Sequence, residues 1–340
     1  MNRTWIFGLA CFLALGTVSL RAGEAGYHVT KKIHLKGDAG WDYLTVDPAA
    51  RRLYISHESQ VLVLDADKLK TVGSVDGLNH CHGIAVAPEF HKGFITSGGD
   101  GTVVVFDTQT LKRLAVVKAE EDADGIQYDP TTKRVFTFNG DSGNSTVLDA
   151  ASLKVVDTED LGGKPEMAAV GADGRLFDDL VDKDRVIELD AKTLKILHRW
   201  KTQPGEKPAG LAVDSAHGRL FVACRNQKLV VLDTENGKVI QTLPIGDHID
   251  AEAFDPSTGN IFTSNGDGTL TVIHEDSPDK YQVTANVPTE KGARTMAYDP
   301  KTRRVFTDNA DTLAVTPEPG QPKWHRKVVP GTFHLIVVAP

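Results

Sequence analysis

The sequence predicts an all-β, seven-bladed β-propeller of four-stranded antiparallel blades, and three observations carry that prediction. One motif recurs seven times, its period is that of a single blade, and the two chain ends are complementary. The motif is an apolar strand, an Asp-Pro-type turn, a basic or Gly position, and then a strand led by an aromatic residue. It reads Val46-Asp47-Pro48 before Tyr54, Tyr128-Asp129-Pro130 before Phe136, and Val213-Asp214 before Phe221. It returns as Phe254-Asp255-Pro256 before Phe262 and Tyr298-Asp299-Pro300 before Phe306. Looser copies are Val86-Ala87-Pro88 before Phe94 and Val170-Gly171 before Phe177. From Tyr54 to Phe306 the aromatic anchors are spaced by 40, 42, 41, 44, 41 and 44 residues.

Each copy supplies further strands in a fixed order. A third strand ends in an acidic turn at 61–65, 103–107, 146–149, 186–190 and 229–233. A fourth follows, as at 112–117 and 195–200. These runs are short, rich in Val, Ile, Phe and Thr, and bounded by Asp, Gly, Pro and Asn. No segment keeps a 3.6-residue period with caps, so helices should be scarce.

The ends decide between a ring and an open stack. After Phe306 the next apolar strand comes only at 333–338, with no fourth strand before Pro340. An orphan strand, 27–35, precedes the first complete copy. Pairing it as the outer strand of the last blade closes the ring and leaves no open seam. A solenoid would show polar capping repeats at its ends, and the terminal copies show none. The expected unit is a single propeller over 27–340.

The aromatic-led strands resemble the YVTN repeat of YncE-like β-propeller proteins: Tyr54-Ile55-Ser56-His57, Phe136-Thr137-Phe138-Asn139, Phe262-Thr263-Ser264-Asn265 and Phe306-Thr307-Asp308-Asn309. The likeness spans essentially the whole chain after the leader. The tail Val329-Pro330-Gly331-Thr332-Phe333 also looks like the end of exported members. The final motif position departs from Asn at His57, Ser97, Leu180 and Cys224. The family has no single activity, so the resemblance implies fold and export rather than chemistry.

Residues 1–22 read as a secretory leader: a polar, positive start at Asn2-Arg3, an apolar run from Trp5 to Leu20, then small residues at Ala22, Gly23 and Ala25. Cys11 lacks the context of a lipid-attachment site, since Gly8 stands where Leu is wanted. No second apolar run follows, so no membrane span is expected, and the product should be periplasmic or secreted. Losing Arg3 and Arg21 takes the formal net charge from −8 to −10. That charge disfavours nucleic acid as a partner. Cys81 and Cys224 belong to separate blades, which argues against a disulfide.

In an up-and-down blade the Asp-Pro turns share one face with the turns after the third strand. The loops between second and third strands share the other face with the crossovers between blades. The second set is varied and polar, which places a site there. One equivalent position per inner strand holds Asp42, His82, Asp124, Glu166, Ala209, Asp250 and Arg294. In a ring these surround the mouth of the central channel, with Trp41, His57, His80, Cys81 and His248 nearby. Asp42, His82, Asp124, Glu166 and Asp250 are candidate ligands for a divalent metal, the cofactor that residue type suggests, and Arg294 suits an anion. The same acids also fit a structural role, capping crossover loops through backbone N–H groups. From Phe306 to Ala339 the chain runs 33 residues where equivalent intervals take 11 to 13, so the Pro-rich stretch 310–332 is a long loop on the varied face.

No phosphate loop, nucleophile elbow, H-E-x-x-H or C-x-x-C motif is present. The expectation is therefore a monomeric, non-catalytic binding propeller for a small ligand, peptide or partner protein. A metal-assisted hydrolase or lyase at the channel mouth is the alternative.

Overall fold

The computed structural model describes residues 26–37, 39–314 and 326–340. Residues 1–22, expected as a leader, lie outside the described residues, as does the middle of the Pro-rich stretch. Seven four-stranded sheets follow one another, each with its strands in up-and-down order. Blade 1, for example, is Leu44–Asp47, Arg52–His57, Gln60–Asp65 and Thr71–Asp76. The single helical turn among the described residues is Pro88–Phe90.

Hydrophobic burial between neighbouring blades holds the ring. Tyr54, Phe94, Phe136, Phe177, Phe221, Phe262 and Phe306 are all fully buried. Each such ring is worth about 2–3 kcal/mol of transfer free energy. Across the sheet, Tyr54 pairs with Val63, Phe94 with Val105, Phe136 with Val147, Phe221 with Val231 and Phe262 with Val272. Aromatic beside β-branched is a favourable cross-strand pair, so the anchor period also fixes the register. The anchors then pack across blade boundaries, as Tyr54 does on Phe106, 5.7 Å between centroids.

The recurring Asp residues shape the turns. Asp47 Oδ1 accepts the N–H groups of Ala49 and Ala50 at 3.0 and 2.9 Å. Asp129 receives those of Thr131 and Thr132, and Asp107 those of Gln109 and Thr110. These are Asx turns, which explains why both sets on this face are short and uniform.

The last blade is Met296–Asp299, Arg304–Asn309, His334–Ala339 and, from the other end of the chain, His28–His34. Ile33 stands opposite Leu335, and the Leu35 N–H donates to the Phe333 carbonyl at 2.9 Å. On the Asp-Pro face Arg51 of blade 1 grips Asp299 of blade 7 through two bonds of 2.8 and 2.6 Å. The expected closure is therefore present. The Pro-rich stretch also contains a two-stranded ribbon, Thr312–Ala314 against Arg326–Val328, which a plain loop did not anticipate.

Candidate functional site

Backbone irregularities aim the ring residues at the channel. In blades 2 to 6 the inner strand breaks register between Cys81 and Ile84, Ala123 and Ile126, Pro165 and Ala168, Pro208 and Gly210, and Ile249 and Ala251. His82, Asp124, Glu166, Ala209 and Asp250 all fall inside these bulges, which turn a side chain out of the normal alternation. Just before them, His80, Asp122, Lys207 and His248 adopt left-handed φ of 52–58°. Gly125 follows Asp124 because a Cβ there would lie 2.5 Å from the Glu166 carbonyl oxygen.

The resulting mouth is a cavity of ≈ 970 Å³ on the varied face. Its wall includes Trp41, Asp42, His80, His82, Asp124, Glu166, His248, Asp250 and Arg294, together with Tyr43 and Arg225. A smaller space of ≈ 330 Å³ continues down the channel, and Tyr43 lines both.

Most of the ring forms one circuit of opposite charges. Asp124 Oδ1 lies 3.5 Å from His82 Nδ1, which bonds Asp42 Oδ2 at 2.6 Å. Asp42 Oδ1 lies 3.5 Å from Arg294, whose Nε donates to Asp250 at 2.5 Å. Asp250 then accepts from Arg225 at 2.8 Å, and Arg225 also bonds Glu166. Burial alone would raise the Asp42 pKa, but the His82 hydrogen bond and charge bring it down. Burial alone would lower that of His82, and the Asp42 bond with the Asp124 charge lifts it to about 9. Asp124 is pushed well up by burial, then by Asp42 and Glu166, despite His82. Glu166 is raised by burial against the pull of Arg225. Tyr43 is raised well above its ordinary value by burial and by the charges of Asp124, Glu166, Asp42 and Asp250, which places it among all four carboxylates.

The expected residues divide into four groups. Asp42, His82 and Asp124 bring donor atoms within 4.8 Å of one another. Glu166 and Asp250 are gathered instead by Arg225. His57 is buried in packing, stacked on Phe333 at 4.3 Å with Nδ1 3.0 Å from the Gly40 carbonyl. Trp41 leans on the same phenyl ring at 6.2 Å. His80 and His248 stand exposed on the rim beside Glu58 and Asp247. Cys81 and Cys224 are both free and buried.

Sequence reasoning missed Arg225 and Tyr43. Arg225 follows the second strand of blade 5, the same blade whose ring position is Ala209. Tyr43 follows Asp42 at a position that is Gly83, Gly125 or Gly210 in other blades. A lone large polar residue among small ones was the available signal. A second donor group, Asp214, His217 and Glu275, sits away from the funnel. There Asp214 already holds its turn through the Ala216 N–H at 3.0 Å and binds His217 at 2.5 Å.

Comparison with solved structures agrees with this architecture. Hydrazine synthase of Kuenenia stuttgartiensis is similar over 81% of this chain and 94% of that one, at TM-score 0.70 and 18% identity. U3-55K is similar over 92% and 99%, at 0.75 and 9% identity. The RRP9 WD40 repeats are similar over 90% and 96%, at 0.74 and 8% identity. The shared feature is the propeller. At such identities the likeness is one of fold, which hosts binding scaffolds and enzymes alike. No family model matches the sequence, and no curated protein matches it.

Proposed function

We propose that the chain is an exported, non-catalytic propeller of the YncE-like kind that binds a small ligand in the funnel at its channel mouth. One observation carries this reading: a circuit of ion-paired side chains, one from each of the seven blades, faces a cavity of ≈ 970 Å³. That volume suits a small organic molecule. Bonding within the circuit fixes the polar groups in advance, which lowers the ordering cost of recognition. Asp42, Glu166 and Asp250 are each held in place by a cation, which fixes their positions before a ligand arrives. The leader and the resemblance of the YVTN-like strands support export.

The experiment is a thermal-shift and calorimetric screen of the secreted form against small charged molecules. Each hit is repeated on Tyr43→Ala and on the rim variant Lys207→Ala. Saturable binding that Tyr43→Ala weakens supports the reading. Binding indifferent to funnel substitutions contradicts it.

The clustering of Asp42, His82 and Asp124 favours a second reading, a divalent metal acting in a hydrolase or lyase. An ion there would displace the proton that His82 shares with Asp42, a cost the ligand reading avoids. Stoichiometric metal in the purified protein, with a chelator-sensitive melting temperature, would replace the first reading with this one.

A further inference from the structure

Blades 5, 6 and 7 place two guanidinium groups around one carboxylate. Asp250 of blade 6 accepts from Arg225 Nη2 through Oδ1 at 2.8 Å and from Arg294 Nε through Oδ2 at 2.5 Å. Both arginines stand where the repeat supplies other residue types. Arg225 directly follows the second strand of its blade, a position held in the other blades by Glu58, Gly98, Gly140, Val181, Gly266 and Ala310. Arg294 takes a ring position that is otherwise Ala209, His82 or an acid. The blade itself needs arginine at neither place, since the other blades form without it. What the two share is the cavity they line.

The bonds within the circuit leave much of each guanidinium unspent. Arg225 reaches both Glu166 and Asp250 through Nη2, so its Nε and Nη1 keep their N–H groups. Arg294 bonds Asp250 through Nε, and its Nη2 stands 3.5 Å from Asp42 Oδ1. Its Nη1 bonds none of the described residues. An ion pair serving stability alone would favour the two-pronged match between guanidinium and carboxylate. Here each arginine meets each of these carboxylates with a single nitrogen.

Exposure decides which groups a ligand meets. The side chains of Asp42, Asp124, Glu166 and Asp250 are 16%, 17%, 12% and 12% exposed, whereas those of Arg225 and Arg294 are 36% and 39% exposed. The carboxylates thus stand behind, and the guanidinium groups present themselves to the cavity. A charged N–H donor bonds an anionic oxygen about twice as strongly as neutral groups bond one another. A carboxylate is planar with two acceptor oxygens, which suits it to guanidinium donors. Asp250 already shows that these two arginines are spaced to share one.

We infer that the funnel's ligand carries a carboxylate, bound by the spare N–H groups of Arg225 and Arg294. The inference rests on the reading of the funnel as a ligand site and specifies the ligand's chemistry. The cavity of ≈ 970 Å³ takes the remainder of the molecule.

Isothermal titration calorimetry at neutral pH tests this, with butyrate and succinate as carboxylates, butyramide as the neutral counterpart of butyrate, butylamine as a cation, and inorganic phosphate. The carboxylates should bind saturably, and butyramide at least tenfold more weakly than butyrate, a comparison that needs no variant. Arg225→Lys and Arg294→Lys keep the positive charge that Asp250 requires but lose the planar donor set. Each should weaken carboxylate binding at least tenfold while circular dichroism shows the parental sheet content. Equal binding of butyrate and butyramide, or carboxylate binding unchanged in both folded lysine variants, overturns the inference. Binding of butylamine or phosphate alone, weakened by Tyr43→Ala, overturns it while leaving the funnel reading in place. If no probe of any class binds, both fail.

Discussion

His82 Nδ1 stands 2.6 Å from Asp42 Oδ2 across the boundary between blades 2 and 1. The pair shares a proton at neutral pH, because burial, which alone would favour neutral imidazole, is outweighed by the Asp42 bond and the Asp124 charge. With a folded pKa of about 9 against 6.5 unfolded, the group's contribution is complete below about pH 6.5 and is lost as pH rises through 9. NMR titration of the His82 imidazole should give a midpoint well above 7, and Asp42→Asn should move it downward. A midpoint at or below 6.5 in the parent protein contradicts the pairing.

Arg225 joins Glu166 to Asp250. Removing it leaves Glu166 without its cation and Asp250 with Arg294 alone; breaking a fully buried pair costs roughly 3–5 kcal/mol. Since the guanidinium is about one-third exposed, Arg225→Ala should cost about 2 kcal/mol. Arg225→Lys should fall between that and the parent in chemical denaturation. An unchanged midpoint for Arg225→Ala would show that the circuit is ornamental to stability.

Asp178 is fully buried with no partner for either carboxylate oxygen, and burial with Asp179 and Glu166 pushes its pKa well up. A raised acid pKa means the folded state keeps a proton that the unfolded chain has released, so stability falls as pH rises above the unfolded value. Asp178→Asn should therefore be more stable than the parent at pH 8, by about 1–2 kcal/mol, and close to it at pH 4. Urea titrations at the two pH values decide the sign. A variant less stable at pH 8 would mean that the acid has a charged partner.

Closure depends on His28–His34 pairing with His334–Ala339. Deleting 28–34 exposes the edge of His334–Ala339 and the apolar side that Ile33 covers. The shortened protein should melt at a clearly lower temperature and associate in analytical ultracentrifugation. Parental melting and a monomer would show that the ring holds without this strand.

The fold was legible because its determinants are local and repeated. Seven aromatic anchors, the Asx-turn acids and the orphan strand are each visible within a few residues, and all reappear in the structure. The inner-strand position was equally readable, since a repeat places it by counting. Partnership was not. Counting puts Glu166 and Asp250 beside Asp42 as equivalent acids, whereas a guanidinium from the end of a different strand gathers them. His57 shows the converse: a residue type suggestive of a ligand is spent on stacking against Phe333, over 270 residues away in sequence. Side-chain reach across blade boundaries is non-local, and no single-chain pattern records it.

A crystal structure of the protein with the tightest-binding hit of the small-molecule screen most directly tests whether the channel mouth is the binding site. The account predicts density for the ligand inside the funnel, against Tyr43 and the ring side chains that line it. A ligand seated on the Asp-Pro face or along an outer blade edge, with the funnel holding only solvent, would contradict it.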